Sequence, residues 1–120
     1  MTSKSFAFTH DELVLVMIGL VRATHPSMLR QEADGFSFDF QILDSKKTLD
    51  EDEKLIFKLR ALLDSPPGDE SQQALLDLPL NSYESRRIVL AIGQLQLLQP
   101  WPLDVVNLCR NITSRLSSGI

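Results

Sequence analysis

The chain is poor in the residues that usually carry chemistry. It has one cysteine, Cys109, with two histidines, one tyrosine and one tryptophan in 120 residues. A single cysteine cannot form an internal disulfide, which fits a reducing compartment. The five glycines stand at positions 19, 35, 68, 93 and 119. They are too scattered to build a dinucleotide-binding turn or a phosphate-cradling loop. No run of lysine or arginine exists to track a phosphate backbone: 12 basic residues against 16 acidic ones leave a net charge of −4. Non-specific nucleic-acid binding therefore lacks its main driving force. The charge is also uneven. Residues 1–70 carry 8 basic and 13 acidic groups, net −5, and residues 71–120 carry 4 and 3, net +1. Long apolar runs are missing too. Leu13–Val21 is nine residues, well short of the ~20 that a membrane-spanning helix needs. Before it stand Lys4 and then His10, Asp11 and Glu12, the wrong charge order for a secretory leader. A cytoplasmic location and no membrane partner are expected.

What the chain does have is helical patterning. Its 43% apolar content suffices for one core, and residues 1–120 read as a single helical domain. Thr9 and Glu12 form a capping box, and Phe8 and Leu13 a hydrophobic staple, for a helix from His10 to about Ala23. Because Leu13–Val21 is apolar all round, this helix needs cover on more than one side, from its own domain or from a second subunit. Gly19, mid-helix, costs about 1 kcal/mol against alanine, which implies that another element approaches closely there. Pro26 ends the pattern. Ser27–Gly35 reads either as a short helix or as a hairpin arm closing at Asp34-Gly35. Phe36, Phe38, Phe40 and Ile42 alternate with Ser37, Asp39 and Gln41, the clearest strand signature in the chain.

Further on, Thr48 and Glu51 predict a second capping box and a helix from Leu49 to about Asp64, with an Asp50–Lys54 pair and a stripe of Leu55, Ile56, Leu59, Leu62 and Leu63. The prolines at 66 and 67 stop it, and a short helix is expected over Glu70–Leu76. Asn81 or Ser82 caps a helix over Tyr83–Leu98 whose inward face is Ile88, Ala91, Ile92 and Leu95. Pro102 suits the first position of the last helix, with Asp104 in its first turn. Its inward stripe is Val105, Leu108, Cys109, Ile112 and Leu116. The expected fold is mainly α: a compact bundle of four longer helices plus one or two short helices, with a minor β element around Phe36–Ile42. A buried strand needs a partner for its backbone groups. The candidates are Leu78–Leu80, Arg30–Ala33, or the same strand of a second subunit across a two-fold axis; the alternative is an extended segment without a ladder that drops Phe36, Phe38 and Phe40 into the helical core.

The reactive residues read as structural. His10 and His25 lie 15 residues apart, about 22 Å along a helix, and cannot share one ion. Asp11 and Glu12 are explained by capping. The acids Asp50, Glu51, Asp52 and Glu53 begin a helix and lack the glycine-turned loop of a calcium site. Cys109 sits on an apolar stripe with no activating base. Leu59–Leu63 matches the pattern of groove-binding helices, but its leucines are needed for the core. Asn111-Ile112-Thr113 matches a glycosylation acceptor inside a predicted helix. No catalytic, cofactor or metal residues are assigned. Trp101, between two prolines, reads as a lid over the corner or as an interface anchor. The interface candidates are Phe36, Phe38, Phe40, Ile42 and Trp101. The expected function is a small, non-catalytic, intracellular protein-interaction or regulatory module, homodimeric and with an unknown protein partner. The competing readings are a small-ligand binder or enzyme with an interhelical pocket, and a DNA-binding regulator using Arg86, Arg87, Arg110 and Arg115.

Overall fold

A computed structural model describes residues 4–33, 35–64, 76–98 and 100–119. Its centre is α1 (His10–Thr24). The capping box read from the sequence is present: the Glu12 N–H donates to Thr9 Oγ1 at 3.2 Å, and the Thr9 N–H to the Glu12 carboxylate at 2.9 Å. From Leu13 to Val21 every residue except Val14 is buried. The cover comes from α3 (Glu51–Asp64), α4 (Ser82–Gln96) and α5 (Leu103–Gly119), which all pack on α1. The apolar run is thus enclosed within one chain. Gly19 faces α4, where a Cβ would lie 3.4 Å from the Ala91 carbonyl oxygen and from Ile92 Cδ1. The missing side chain lets the two helices approach.

Two antiparallel two-stranded ribbons flank the helices. In the first, β1 (Lys4–Phe8) pairs with β4 (Leu76–Leu80), placing Phe6 opposite Leu78. This ribbon departs from the sequence reading. Leu76 opens a strand instead of closing a helix, and the rest of the expected Glu70–Leu76 helix lies outside the described residues. Leu78 and Leu80 face the core while Asp77 and Pro79 face out. Pro79 has no N–H to give, and its outward carbonyl accepts from Lys58 Nζ at 2.8 Å.

The second ribbon settles the partner of the phenylalanine strand. β2 (Leu29–Glu32) pairs with β3 (Gly35–Phe38) in register Leu29 to Phe38. The intrachain hairpin arm was the right option, and a short helix over Ser27–Gly35 was not; only Pro26–Met28 forms a 3₁₀ turn. The strand is also shorter than its alternation suggests. The Asp39 carboxylate accepts from the Gln41 N–H at 3.1 Å, a local turn that diverts the chain. Phe40 therefore leaves the ladder, and Ile42 falls in the short helix α2 (Gln41–Asp44).

The remaining helices differ from expectation only at their ends. α3 is capped not by Thr48 and Glu51 but two residues later. Asp50 Oδ1 accepts from the Glu53 N–H at 2.8 Å, and the Glu53 carboxylate from the Asp50 N–H at 2.9 Å. Lys54 consequently meets Glu51, at 3.7 Å, rather than Asp50. Asn81 caps α4 with Glu84, and Ile88, Ala91, Ile92 and Leu95 are buried as the spacing requires. α5 begins at Leu103. Pro102 stands just before it, its carbonyl accepting the Val106 N–H at 3.1 Å. Cys109, Ile112 and Leu116 are buried, and Val105 and Leu108 pack beside them. The fold is mainly α, with four long helices around one core. Among the described residues no helix is long and apolar enough to cross a membrane.

Candidate interaction surface

The turn between α4 and α5 is bordered by several uncovered apolar side chains. α4 stops at Gln96 and α5 starts at Leu103, with prolines at 100 and 102 between them. Trp101 folds back over this corner. Its indole N–H donates to the Leu95 carbonyl at 2.9 Å, which also accepts from the Leu98 N–H at 3.2 Å, so the ring is tethered to the last turn of α4. Its ring lies 6.5 Å from that of Phe36, at 43°. The structure thus brings together Phe36 and Trp101, two of the residues singled out from the sequence.

On either side of the half-buried Trp101 in the chain, Leu97, Leu98 and Leu103 are 87%, 43% and 71% exposed. Leu90, two turns before Leu97 on α4, is 52% exposed. The sequence reading did not single out these leucines, although a signal was present. Adjacent residues on a helix point about 100° apart, so the face that buries Leu95 cannot also bury both Leu97 and Leu98. Leu103 likewise falls outside the stripe of Val105, Leu108 and Ile112.

The other interface candidates are placed differently. Phe38 and Phe40 stack at 5.7 Å. Arg60 lies 4.4 Å over Phe40 and 5.8 Å from Phe57, and it also pairs with Asp44 at 2.8 Å. These rings are already engaged within the chain. Ile42 points outward from α2 at 46% exposure.

Next to the hairpin lies an open depression of about 360 Å³ lined by Arg30, Glu32, Ser37, Phe38, Asp39 and Gln41. Five of these six residues are polar, and its charged groups are already partnered. Arg30 is 3.6 Å from Asp39, and the Ser37 hydroxyl donates to Glu32 at 3.0 Å. A smaller hollow of about 240 Å³ lies beside Phe57, Arg60, Ala61 and Asp64. Neither resembles the apolar cleft with a few aimed polar groups that small molecules favour.

The buried acids are structural. Glu12, Glu53 and Glu84 are each the reciprocal partner in a capping box, and each also takes a cation from elsewhere in the fold. Arg115 of α5 reaches Glu12 at 3.1 Å, and Lys58 of α3 reaches Glu84 at 3.0 Å. Lys46, from the loop after α2, pairs with Glu53. His25 adds a bond to Glu53 from Nε2 at 3.1 Å, while its Nδ1 meets the Thr24 hydroxyl at 2.9 Å. The Lys46 hydrogen bond, then the Asp50 N–H, hold the Glu53 carboxyl at about 2 against the upward push of burial, with His25 assisting. Glu53 is a fixed anion rather than a proton donor. Burial pushes the Cys109 thiol up, so its thiolate is disfavoured at neutral pH. Among the described residues, every buried side-chain nitrogen and oxygen has a hydrogen-bond partner, and no three His, Cys, Asp or Glu side chains converge as metal ligands would.

Of the four arginines considered for DNA, Arg87 is held by Asp52 at 3.1 Å. Arg115 is held by Glu12 and the Ala7 carbonyl, with its guanidinium 5.2 Å over Phe8. Arg86 and Arg110 are exposed and make no ion pair among the described residues. Comparison with protein-family models, with characterised proteins and with solved structures finds no match.

Proposed function

We propose that the chain is a non-catalytic protein-interaction module, of the regulatory kind, that engages its partner through the α4–α5 corner. One observation carries this reading: Leu97, Leu98 and Leu103, all within four residues of the half-buried Trp101 in the chain, stand in water. Single exposed leucines are ordinary, but several of them close in the chain to a tryptophan, a frequent interface anchor, make this corner the best candidate for a docking surface. Covering each leucine is worth about 1.5–3 kcal/mol. A reducing, cytoplasmic setting goes with this reading, because the one cysteine is a buried thiol.

A photo-crosslinking side chain at position 97, compared with one at the exposed Lys47, tests the proposal in extracts of the native host. Discrete adducts from position 97 alone are expected. No adducts, or the same adducts from both positions, would overturn it.

Homodimerisation belongs to the same proposal in a narrower form. The phenylalanine strand and α1 both find their cover within the chain, so a second copy would now be held by the corner. Sedimentation at micromolar concentration should then give a dimer. The double variant Leu97→Glu/Leu103→Glu should give a monomer with unchanged melting, within about 0.5 kcal/mol, as befits exposed sites. A wild-type monomer ends the dimer form.

A further inference from the structure

We infer that the partner seated on this surface is an acidic amphipathic helix. The inference rests on the interaction reading above and adds what the surface recognises. On α4, Arg86, Leu90, Gly93 and Leu97 follow one another at spacings of four, three and four residues, so they share one face of the helix. Arg86 and Leu90 are exposed, Gly93 is half-exposed, and Leu97 ends the stripe. A Cβ built on Gly93 meets nothing within 4 Å. The stripe therefore has a gap between two leucines where an incoming side chain can sit. On α5, which packs against α4, Leu103, Asn107 and Arg110 repeat the arrangement at spacings of four and three, all exposed. Each stripe runs from leucine at the corner to an arginine away from it.

Charge then selects the occupant. Among the described residues from 82 to 119 the exposed charged groups are Arg86, Arg110 and Asp104. Exposed acids elsewhere are plentiful: Asp11, Glu32, Asp44, Asp50, Glu51, Asp64 and Asp77. These seven outnumber the exposed cations there, Lys4, Arg30, Lys46, Lys47 and Lys54, so among the described residues the leucines and the two arginines lie on a face of net positive exposed charge in a protein of net charge −4. A helix that lays apolar residues over Leu90, Leu97 and Leu103 and carboxylates near Arg86 and Arg110 matches both features. A second copy of the chain fits less well. Among the described residues of α4 and α5 it would offer only Asp104 as an exposed carboxylate to meet Arg86 and Arg110.

Calorimetric titration tests this with two designed amphipathic peptides of about four helical turns. One carries glutamate between its leucines and the other lysine. The glutamate peptide should bind the wild-type chain about tenfold or more tighter than the lysine peptide. Arg86→Glu/Arg110→Glu should invert that preference. Gly93→Leu should fold normally yet weaken the glutamate peptide about tenfold by filling the gap. Equal affinity for both peptides, or no binding of the glutamate peptide, overturns the inference. So does binding to phosphatidylserine vesicles in preference to the peptide, which would assign the face to a lipid surface. If the peptides fail while position-97 crosslinks persist, the interaction module stands and only its acidic ligand falls. If the crosslinks fail as well, both fall.

Discussion

The buried charges of this protein are best understood one glutamate at a time. Glu12, Glu53 and Glu84 each hold the first turn of a helix and each accept a cation from another element. A burial cost that would be prohibitive for a lone carboxylate is offset by several charge-assisted hydrogen bonds. This also explains the misplaced cap of α3. Thr48–Glu51 and Asp50–Glu53 have the same spacing, and local rules cannot choose between them. The choice is made by Lys46 and His25, whose approach comes from tertiary structure. Glu53→Gln should lower stability by about 1–3 kcal/mol in urea melts. The acid limb gives a second readout. The folded carboxyl sits at about 2, below its ordinary 4.5, so its contribution is complete above pH 4.5 and drains away as the pH falls toward 2. Wild type should therefore lose more stability across that interval than Glu53→Gln does; parallel limbs would remove Glu53 from the acid response. Phe38→Asp places a charge in the stack on Phe40 and should cost about 2 kcal/mol or more; unchanged melting would make the stack ornamental.

The helices were largely legible because their inward stripes are long and periodic. Ile88, Ala91, Ile92 and Leu95 read the same way in sequence and in space. The ribbons were less so. β1 offers only Phe6 and Phe8 as alternating apolar residues, and β4 contains Pro79. Neither is a strand until the other lies beside it. In β3 the alternation outran the structure because it cannot register that Asp39 bonds forward to Gln41. The proposed interaction surface was half legible. Phe36 and Trp101 stood out, while Leu97, Leu98 and Leu103 were not singled out. The two mid-helix glycines show what sequence leaves undecided. Gly19 touches the backbone of α4, whereas Gly93 faces open space. Gly93→Ala should raise stability by about 1 kcal/mol through helix propensity. Gly19→Leu should lower it by about 1–3 kcal/mol or more by forcing α1 from α4. Thermal melts of the pair check both, and equal shifts would contradict the packing described.

The whole molecule has one core, to which α1 contributes from its centre and β1–β4 from its edge. Phe8 belongs to that edge and lies beneath Arg115 of α5, so it joins the first strand to the last helix. Phe8→Ala should cost about 3–5 kcal/mol, and loss should be global. Helical circular dichroism and amide exchange in β1 should report the same transition. Earlier melting of β1 alone would show that the ribbon is an appendage. Trp101 gives the assembled chain one more property. It is the sole tryptophan, half-buried and tethered to the end of α4, with three exposed leucines within four residues of it in the chain. Whatever covers that corner must dehydrate its indole, so occupancy should shift the ultraviolet emission to the blue. The protein is born with its own optical sensor at the place where its partner is expected, and a simple spectrum can count bound molecules without a label.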